Sequence, residues 1–334
     1  MTTNRLNVMK RHARGALIGL AVGDALGQPT EGKTPTEIKQ QWGRITDFLS
    51  SAPAGSDDTE YALFNAQLLL KHGKSLDSEK IAATWREHIA SQTGGFKGAG
   101  FSEMMAIANL CAGLSPPFCG QHLHSWSDGL AMRVAPFGIV AAGNPQLAAQ
   151  LAEMDGVVSH AGEGVLSGKA VAAAVAVAMT GAGIDDIIDA ALQVIPNDSW
   201  TSRAITKGIE IGKNASEVWQ ALEPLHEAIA CAYYHWTDLG PEAAGLAFGI
   251  FAAARGNFSD AVLGGVNAGR DTDTIAAIAG AITGAQGGIE VIPPRWAERI
   301  NHAKGICIHT VAGLNIQQVA DDLAALSLKW NDEQ

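Results

Sequence analysis

The sequence predicts an all-α fold. Three observations carry that expectation: apolar residues recur at helical spacing along most of the chain, Gly, Pro, Asn and Asp punctuate those runs, and strand-like alternation is scarce. In chain order, helices are expected over 11–26, 59–71, 78–91, 103–110, 145–154, 164–180, 184–193 and 204–214. Further runs cover 216–222, 241–255, 258–266, 274–284, 293–301 and 316–329. Start signals support several of them: Ser78 stands ahead of a polar-apolar helix, Asn144-Pro145 opens the next, and Asn257 precedes Phe258. Only 45–49 and 291–292 tempt a strand assignment, and both are short.

Composition narrows the classes of function. A chain of 334 residues can form one large domain or two ordinary ones. It has no linker, charge block or fixed-period repeat, so a single compact, orthogonally packed domain over 1–334 is expected. Hydrophobic residues at 47% against 17% charged ones supply a core and exclude disorder. A formal net charge of −11 opposes nucleic acid and anionic membranes, whose phosphates need clustered Lys and Arg. The 38 glycines exceed what turns need and point to close helix packing or to backbone beside a ligand. Cys111, Cys119, Cys231 and Cys307 form no CxxC pair and no zinc-like spacing, as free thiols in a reducing cytosol would. Lys10, Arg11 and Arg14 ahead of apolar residues 16–22 imitate a secretory signal, but Asp24 interrupts the run and no cleavage site follows. The apolar run 171–179 is too short to span a bilayer. The expectation is a soluble, cytoplasmic protein.

Two acidic clusters carry the chemistry: Ser56-Asp57-Asp58-Thr59 and Asp271-Thr272-Asp273-Thr274, each just before an apolar helical run. Helix N-termini attract carboxylates, so the first cluster alone reads as a set of caps. The second holds more oxygen donors than one cap uses. If the two converge, their carboxylates repel unless cations balance them, and Mg²⁺ or Mn²⁺ prefers all-oxygen ligands. The pattern therefore points to a two-metal hydrolytic site. A haloacid dehalogenase-type nucleophile loop is a poor match to 271–274, because Gly264, Gly265, Asn267 and Gly269 precede it where that loop needs a buried strand. Terpene-synthase-like chemistry needs an aromatic-lined cavity, and aromatic residues are only 6% of the chain.

The run from Gly15 to Gly27, the Ser-Asp-Asp-Thr cluster, Asp128-Gly129-Leu130-Ala131-Met132-Arg133 through Pro136, Ser159-His160, and Asp271-Thr272-Asp273-Thr274 with its tail to Ala285 resemble the ADP-ribosylglycohydrolase family. The resemblance runs from about residue 11 to about residue 300, with five motifs in the family's order. It implies an all-α fold, two Mg²⁺ (or Mn²⁺) ions and cleavage of a glycosidic bond to ADP-ribose. The implied metal ligands are Ser56, Asp57, Asp58, Asp271, Asp273 and Thr274. Glu31 matches a glutamate the family uses in catalysis, and Glu31 and Asp58 are the candidates for the acid/base role. The implied partner is an ADP-ribose-type small molecule or an ADP-ribosylated protein.

Several residues are candidates for substrate contact, each with a bland alternative. His160 either lies beside the substrate or is a hydrogen-bonded structural histidine. Ser127, Asp128 and Gly129 either line the ribose or phosphate pocket or merely cap the next helix. Gly98, in a Gly-rich stretch from Gly94 to Phe101, would offer backbone N–H groups to a diphosphate. Trp126, Trp200, Trp236, Tyr233 and Tyr234 would stack on a base or pack in the core. Asp24 is expected to orient neighbouring groups or to be satisfied by local backbone. Two departures from the family pattern stand out. Ser56 replaces the usual Thr and keeps its hydroxyl, and Arg270 replaces the common Gly. Arg270 is expected to brace Asp271 or to reach a substrate phosphate or carboxylate. That leaves a nucleosidase-like N-glycosidase on a small N-riboside, and a non-catalytic ADP-ribose-binding or structural protein, as alternatives.

Overall fold

A computed structural model describes residues 2–92, 98 and 100–332 of the chain. Among these there are 17 α-helices and no strand. They are α1 Thr2–Gly27, α2 Pro35–Trp42, α3 Asp57–His72, α4 Ser78–Trp85, α5 Phe101–Cys111 and α6 Gly129–Arg133. Next come α7 Ala135–Val140, α8 Pro145–Gly156, α9 Glu163–Ala178, α10 Ile184–Gln193, α11 Trp200–Asn214 and α12 Val218–Ile229. The last are α13 Gly240–Ala254, α14 Phe258–Asn267, α15 Thr272–Gly287, α16 Pro294–Ala297 and α17 Ile316–Asp332. No described helix is long and apolar enough to cross a membrane.

The all-α expectation holds, with local corrections. Residues 45–49 are irregular and Val291 ends a 3₁₀ turn, so neither short stretch becomes a strand. Three short helices, α2, α6 and α7, arise where no long apolar period announces them. α2 is started by a reciprocal cap in which Thr34 accepts from the Glu37 amide while Glu37 accepts from the Thr34 amide. The cap of α4 is Asp77, which accepts from the Lys80 amide; Ser78 instead donates to the Met154 carbonyl. Asn144 and Asn257 cap α8 and α14 as expected.

A ladder of small residues fixes where the two acidic clusters sit. On α1, Gly15, Gly19, Gly23 and Gly27 recur every fourth residue, so they share one helix face. They meet Gly284, Gly280, Ala276 and the Thr272–Asp273 backbone of α15, which makes the two helices antiparallel. A Cβ on Gly15, Gly19 or Gly23 would stand 2.0, 2.3 or 2.2 Å from the facing carbonyl oxygen, so no larger residue allows this approach. Packing of α11 on α13 repeats the device, with Gly208 against Gly245 and Gly212 against Gly249. Because the ladder ends at Gly27 and Thr272, the loop after α1 and the start of α15 are delivered to one place.

That junction is locked by hydrogen bonds. Thr272 Oγ1 donates to the Gly27 carbonyl at 2.9 Å and lies 3.0 Å from Thr30 Oγ1. The Arg270 amide donates to the Lys33 carbonyl at 2.8 Å, and the Gly32 amide donates to the Arg270 carbonyl at 2.9 Å. Gly269 adopts φ +74°, and a Cβ there would lie 2.6 Å from Pro35 Cδ. Elsewhere, buried Glu60 on α3 accepts from three consecutive amides, Ile306 at 2.9 Å, Cys307 at 2.7 Å and Ile308 at 2.8 Å. One carboxylate thus fastens the segment before α17 to the helix that begins with Asp57 and Asp58.

Candidate active site

The first cluster is aimed from outside its own helix. Asp24, buried in α1, accepts from the Ser56 amide at 2.8 Å, the Ser56 hydroxyl at 2.8 Å, the Thr59 amide at 3.1 Å and the Thr59 hydroxyl at 2.5 Å. It therefore supplies the N-terminal cap of α3, which Ser56 does not. The reading of Asp57 and Asp58 as caps fails on this point, and the pair is free to face away from the helix backbone. Ser56 Oγ spends its proton on Asp24.

The second cluster divides its labour. Asp271 is the N-cap of α15 and accepts from the Thr274 amide at 3.3 Å. Thr272 is spent on the junction with Gly27 and Thr30. Asp273 makes neither bond. One oxygen each from Asp24, Asp58 and Asp273 lie within 4.8 Å of one another, and so do oxygens of Glu31, Asp271 and Asp273. Asp273 belongs to both trios, so the two oxygen clusters stand side by side with one carboxylate between them.

Glu31, Asp58, Asp271 and Asp273 line a cavity of about 410 Å³ together with Asp57, Gly98, Asp128, Gly129, Trp236, Asp238 and Thr274, and Asp24 lies behind them. No Lys or Arg lines it among the described residues. Burial, opposed by hydrogen bonds from Thr59 and Ser56, pushes the Asp24 carboxyl up to about 7. Burial and then Asp271 push Asp57 up to about 6. Asp58, Asp128 and Asp273 are driven well above the usual carboxylate range, by burial first and by neighbouring carboxylates second. Glu31 is exposed as a residue, yet its carboxyl faces the cavity; lost hydration, then Asp271 and Asp57, raise it to about 8. Acids crowded in this way stay protonated unless cations balance them.

The donor set fits hard divalent cations. Asp58 Oδ1, Asp273 Oδ1 and Asp128 Oδ2 are buried without a hydrogen-bond partner, which costs free energy unless something binds there. All the converging ligand atoms are oxygens, as Mg²⁺ and Mn²⁺ require.

Behind the cavity wall lies a second polar network. Arg133, fully buried, donates to Asp155 at 2.7 Å, Glu103 at 2.6 Å and Ser159 at 2.8 Å, over the rings of Tyr61 and Trp85. His160 pairs Nε2 with Ser127 Oγ at 2.9 Å and Nδ1 with Ser159 Oγ at 2.7 Å. Burial, then Arg133, holds the His160 pKa well below its ordinary value, so the ring is neutral. Ser127 and His160 thus bond to one another in the wall, the hydrogen-bonded alternative for His160, and neither lines the cavity.

Arg270 also departs from expectation. Its guanidinium binds neither Asp271 nor the cavity. It pairs with buried Glu242, Nε to Oε1 at 2.5 Å, and donates to the carbonyls of Cys231 at 3.3 Å and Trp236 at 3.1 Å. Gly98 lines the cavity, where its φ of +87° and Cys307 Sγ, 2.4 Å from where a Cβ would stand, exclude a side chain. The rest of the Gly-rich stretch, 94–97 and 99, lies outside the described residues. Asp238 was not singled out from sequence. It sits in a loop without periodicity, just before Gly240-Pro241, and accepts from the Phe101 amide at 3.3 Å; burial, then Asp271, raises it to about 6.

Aromatic residues gather beside the cavity. Trp236 stacks on Phe101 with centroids 4.8 Å apart, and Trp126, Tyr234 and His124 pack around the pair. Trp200 joins through Trp126 at 6.0 Å. Of these, Trp236 lines the cavity.

Residues 5–333 match the sequence profile described as ADP-ribosylglycohydrolase. An uncharacterized protein of Archaeoglobus fulgidus is 34% identical over 299 residues, 87% of this chain and 92% of that protein. The ADP-ribosylarginine hydrolase Tri1 of Pseudomonas putida is 25% identical over 304 residues, 86% of this chain and 74% of its own. A solved structure described as an ADP-ribosylglycohydrolase-related protein complex superposes with a TM-score of 0.68 at 23% identity, covering 96% of this chain and 99% of that one.

Proposed function

The chain belongs to the ADP-ribosylglycohydrolase family of hydrolases, and on that premise we propose that it uses two divalent cations to release ADP-ribose from an arginine side chain. The single observation that carries the two-cation reading is the pair of carboxylate trios sharing Asp273. Asp58 and Asp273, with Asp57 beside them, would hold one cation; Glu31, Asp271 and Asp273, with Thr274 beside them, would hold the other. Bound Mg²⁺ or Mn²⁺ supplies positive charge to ribose hydroxyls and lowers the pKa of an attacking water. Asp24, already engaged with Ser56 and Thr59, fixes the orientation of Asp57 and Asp58.

The remaining steps fall to side chains. As the anomeric C–N bond lengthens, positive charge grows on the ribose, and the anionic cavity stabilises it. Glu31, on the cavity side of the second trio, would take a proton from the attacking water and pass it to the leaving nitrogen. A water oxygen then bonds to the anomeric carbon, and the products are ADP-ribose and the free acceptor. Backbone at Gly98 and Gly100 borders the cavity where a diphosphate would need N–H donors.

The acceptor side supports a cation. Asp128 and Asp238 lie outside both trios yet face the cavity beside the Trp236 ring, a setting that suits a planar guanidinium. A relative's name, ADP-ribosylarginine hydrolase, agrees with that chemistry. The test is hydrolysis of ADP-ribosylarginine, ADP-ribosylserine and free nucleosides, each with Mg²⁺, Mn²⁺ or a chelator. Release of ADP-ribose from the arginine adduct, abolished by the chelator, is expected. Preference for the serine adduct or for nucleosides overturns the acceptor assignment.

A further inference from the structure

Arg270 sits where three site-bearing segments meet. Its backbone exchanges hydrogen bonds with Gly32 and Lys33, next to Glu31. It directly precedes Asp271. Its side chain, only 8% exposed, reaches Glu242 at the start of α13. Glu242 in turn accepts from the Cys231 amide at 2.5 Å, and Arg270 Nη2 donates to the Cys231 and Trp236 carbonyls.

The segment so gripped, 231–238, carries Trp236 and Asp238 into the cavity. Its far end is held separately, by the Asp128 amide on the Asp238 carbonyl and the Gly240 amide on the Trp126 carbonyl. Between the two anchors the segment is a surface loop, with Tyr233 fully exposed and His235 exposed. Removing the Arg270 side chain would free two carbonyls and leave Glu242 without its cation, while the far anchor stayed in place.

We propose that Arg270, acting through Glu242, is a positioning residue that fastens the acceptor wall, Trp236 and Asp238, to the loop bearing Asp271 and Asp273. The backbone favours this assignment. Arg270 adopts φ +67°, a left-handed conformation that glycine takes more easily, so the side chain is retained against a local conformational preference. The claim about the loop is independent of substrate; its consequence for acceptor binding rests on the function proposed above.

The decisive variant is Arg270→Gly, which suits the backbone and deletes the side chain with its guanidinium. Chymotryptic cleavage within 231–236, compared with the wild type in chelator, is expected to accelerate about tenfold as local opening becomes easier. With ADP-ribosylarginine as substrate, KM should rise about tenfold while kcat changes less than about threefold, since the loss falls on acceptor binding. Mn²⁺ affinity, measured by calorimetry, should stay within about threefold of the wild type, because Asp271 and Asp273 keep their backbone setting. Unchanged cleavage, or Mn²⁺ affinity lost in step with KM, overturns the proposal. If Arg270→Gly fails to fold, the double variant Arg270→Gly with Glu242→Gln removes both buried charges and must show the same cleavage and KM changes. Should the wild type hydrolyse no ADP-ribosyl substrate, the functional reading falls, and the cleavage comparison still decides whether Arg270 holds the loop.

Discussion

Asp24 and Thr59 are joined by two hydrogen bonds: the Thr59 hydroxyl donates at 2.5 Å and its amide at 3.1 Å to the same carboxylate oxygen. A residue deep in α1 thereby starts α3 and turns Asp57 and Asp58 toward the cavity. Asp24→Ala should cost roughly 1–3 kcal/mol of stability, because it leaves several donors of the helix start unpaired. Asp24→Asn keeps an acceptor and removes a buried charge, so the metal-free protein should stay within about 1 kcal/mol of the wild type. Urea unfolding in chelator checks both, and equal losses would contradict the capping role.

Asp273 should be the least replaceable ligand. Asp273→Asn removes the charge of the carboxylate common to both trios, whereas Asp58→Asn and Glu31→Gln each touch one. Turnover should fall on the order of 100-fold or more for Asp273→Asn. Calorimetric titration with Mn²⁺ should show neither site in Asp273→Asn and one surviving site in each of the others. Two intact sites in Asp273→Asn would refute the shared-carboxylate geometry.

The metal-free protein should lose stability as pH rises. Asp57, Asp24 and Glu31 have folded pKa values of about 6, 7 and 8, against ordinary values of 3.8, 3.8 and 4.5. The folded state therefore binds more protons than the unfolded one, and the stability it gains is complete below the ordinary values and disappears through the raised ones. Thermal midpoints in chelator should decline from about pH 5 to about pH 8, and the gain from added Mn²⁺ should be largest at the upper end. A flat or rising midpoint in chelator would contradict this account.

Gly23→Ala tests the helix ladder. In an exposed helix the change would stabilise by about 0.5–1 kcal/mol. Here the new Cβ would meet the Ala276 carbonyl oxygen at 2.2 Å, so overpacking should destabilise by about 1–3 kcal/mol. Mn²⁺ affinity should weaken as well, because the same contact sets the spacing between the loop of Glu31 and the start of α15. A more stable variant with normal Mn²⁺ binding would rule out the ladder as the device that brings the clusters together.

What the chain disclosed in advance follows from range. Long amphipathic or apolar runs, such as 184–193 and 258–266, carry their period locally, and α10 and α14 appear where it predicts them. The second acidic cluster is legible because it gathers hydroxyls and carboxylates beyond the needs of a cap, and the first, which alone reads as caps, gains its meaning beside it. Asp24 is legible as a residue that orients its neighbours or is satisfied by local backbone, but which groups it holds is not, since Ser56 and Thr59 belong to the start of another helix. Depth was equally hidden: nothing in the order of residues distinguishes Asp128, which faces the cavity, from its neighbour Ser127, which faces His160. Sequence order offers Arg270 its neighbour Asp271 or a substrate anion as partner, whereas its counter-ion, Glu242, is supplied by the start of α13. Asp238 and Trp236 belong to a loop, and loops have no period to read.

The grip of Glu60 on residues 306–308 has a consequence for the far end of the chain. A polypeptide ending before residue 306 would strand an acid in the protein interior one turn from Asp57, with nothing to neutralise or solvate it. Residues 306–308 therefore act as a stopper for the helix that opens onto the acidic cavity, and removing them would disturb that cavity without deleting a single group that lines it.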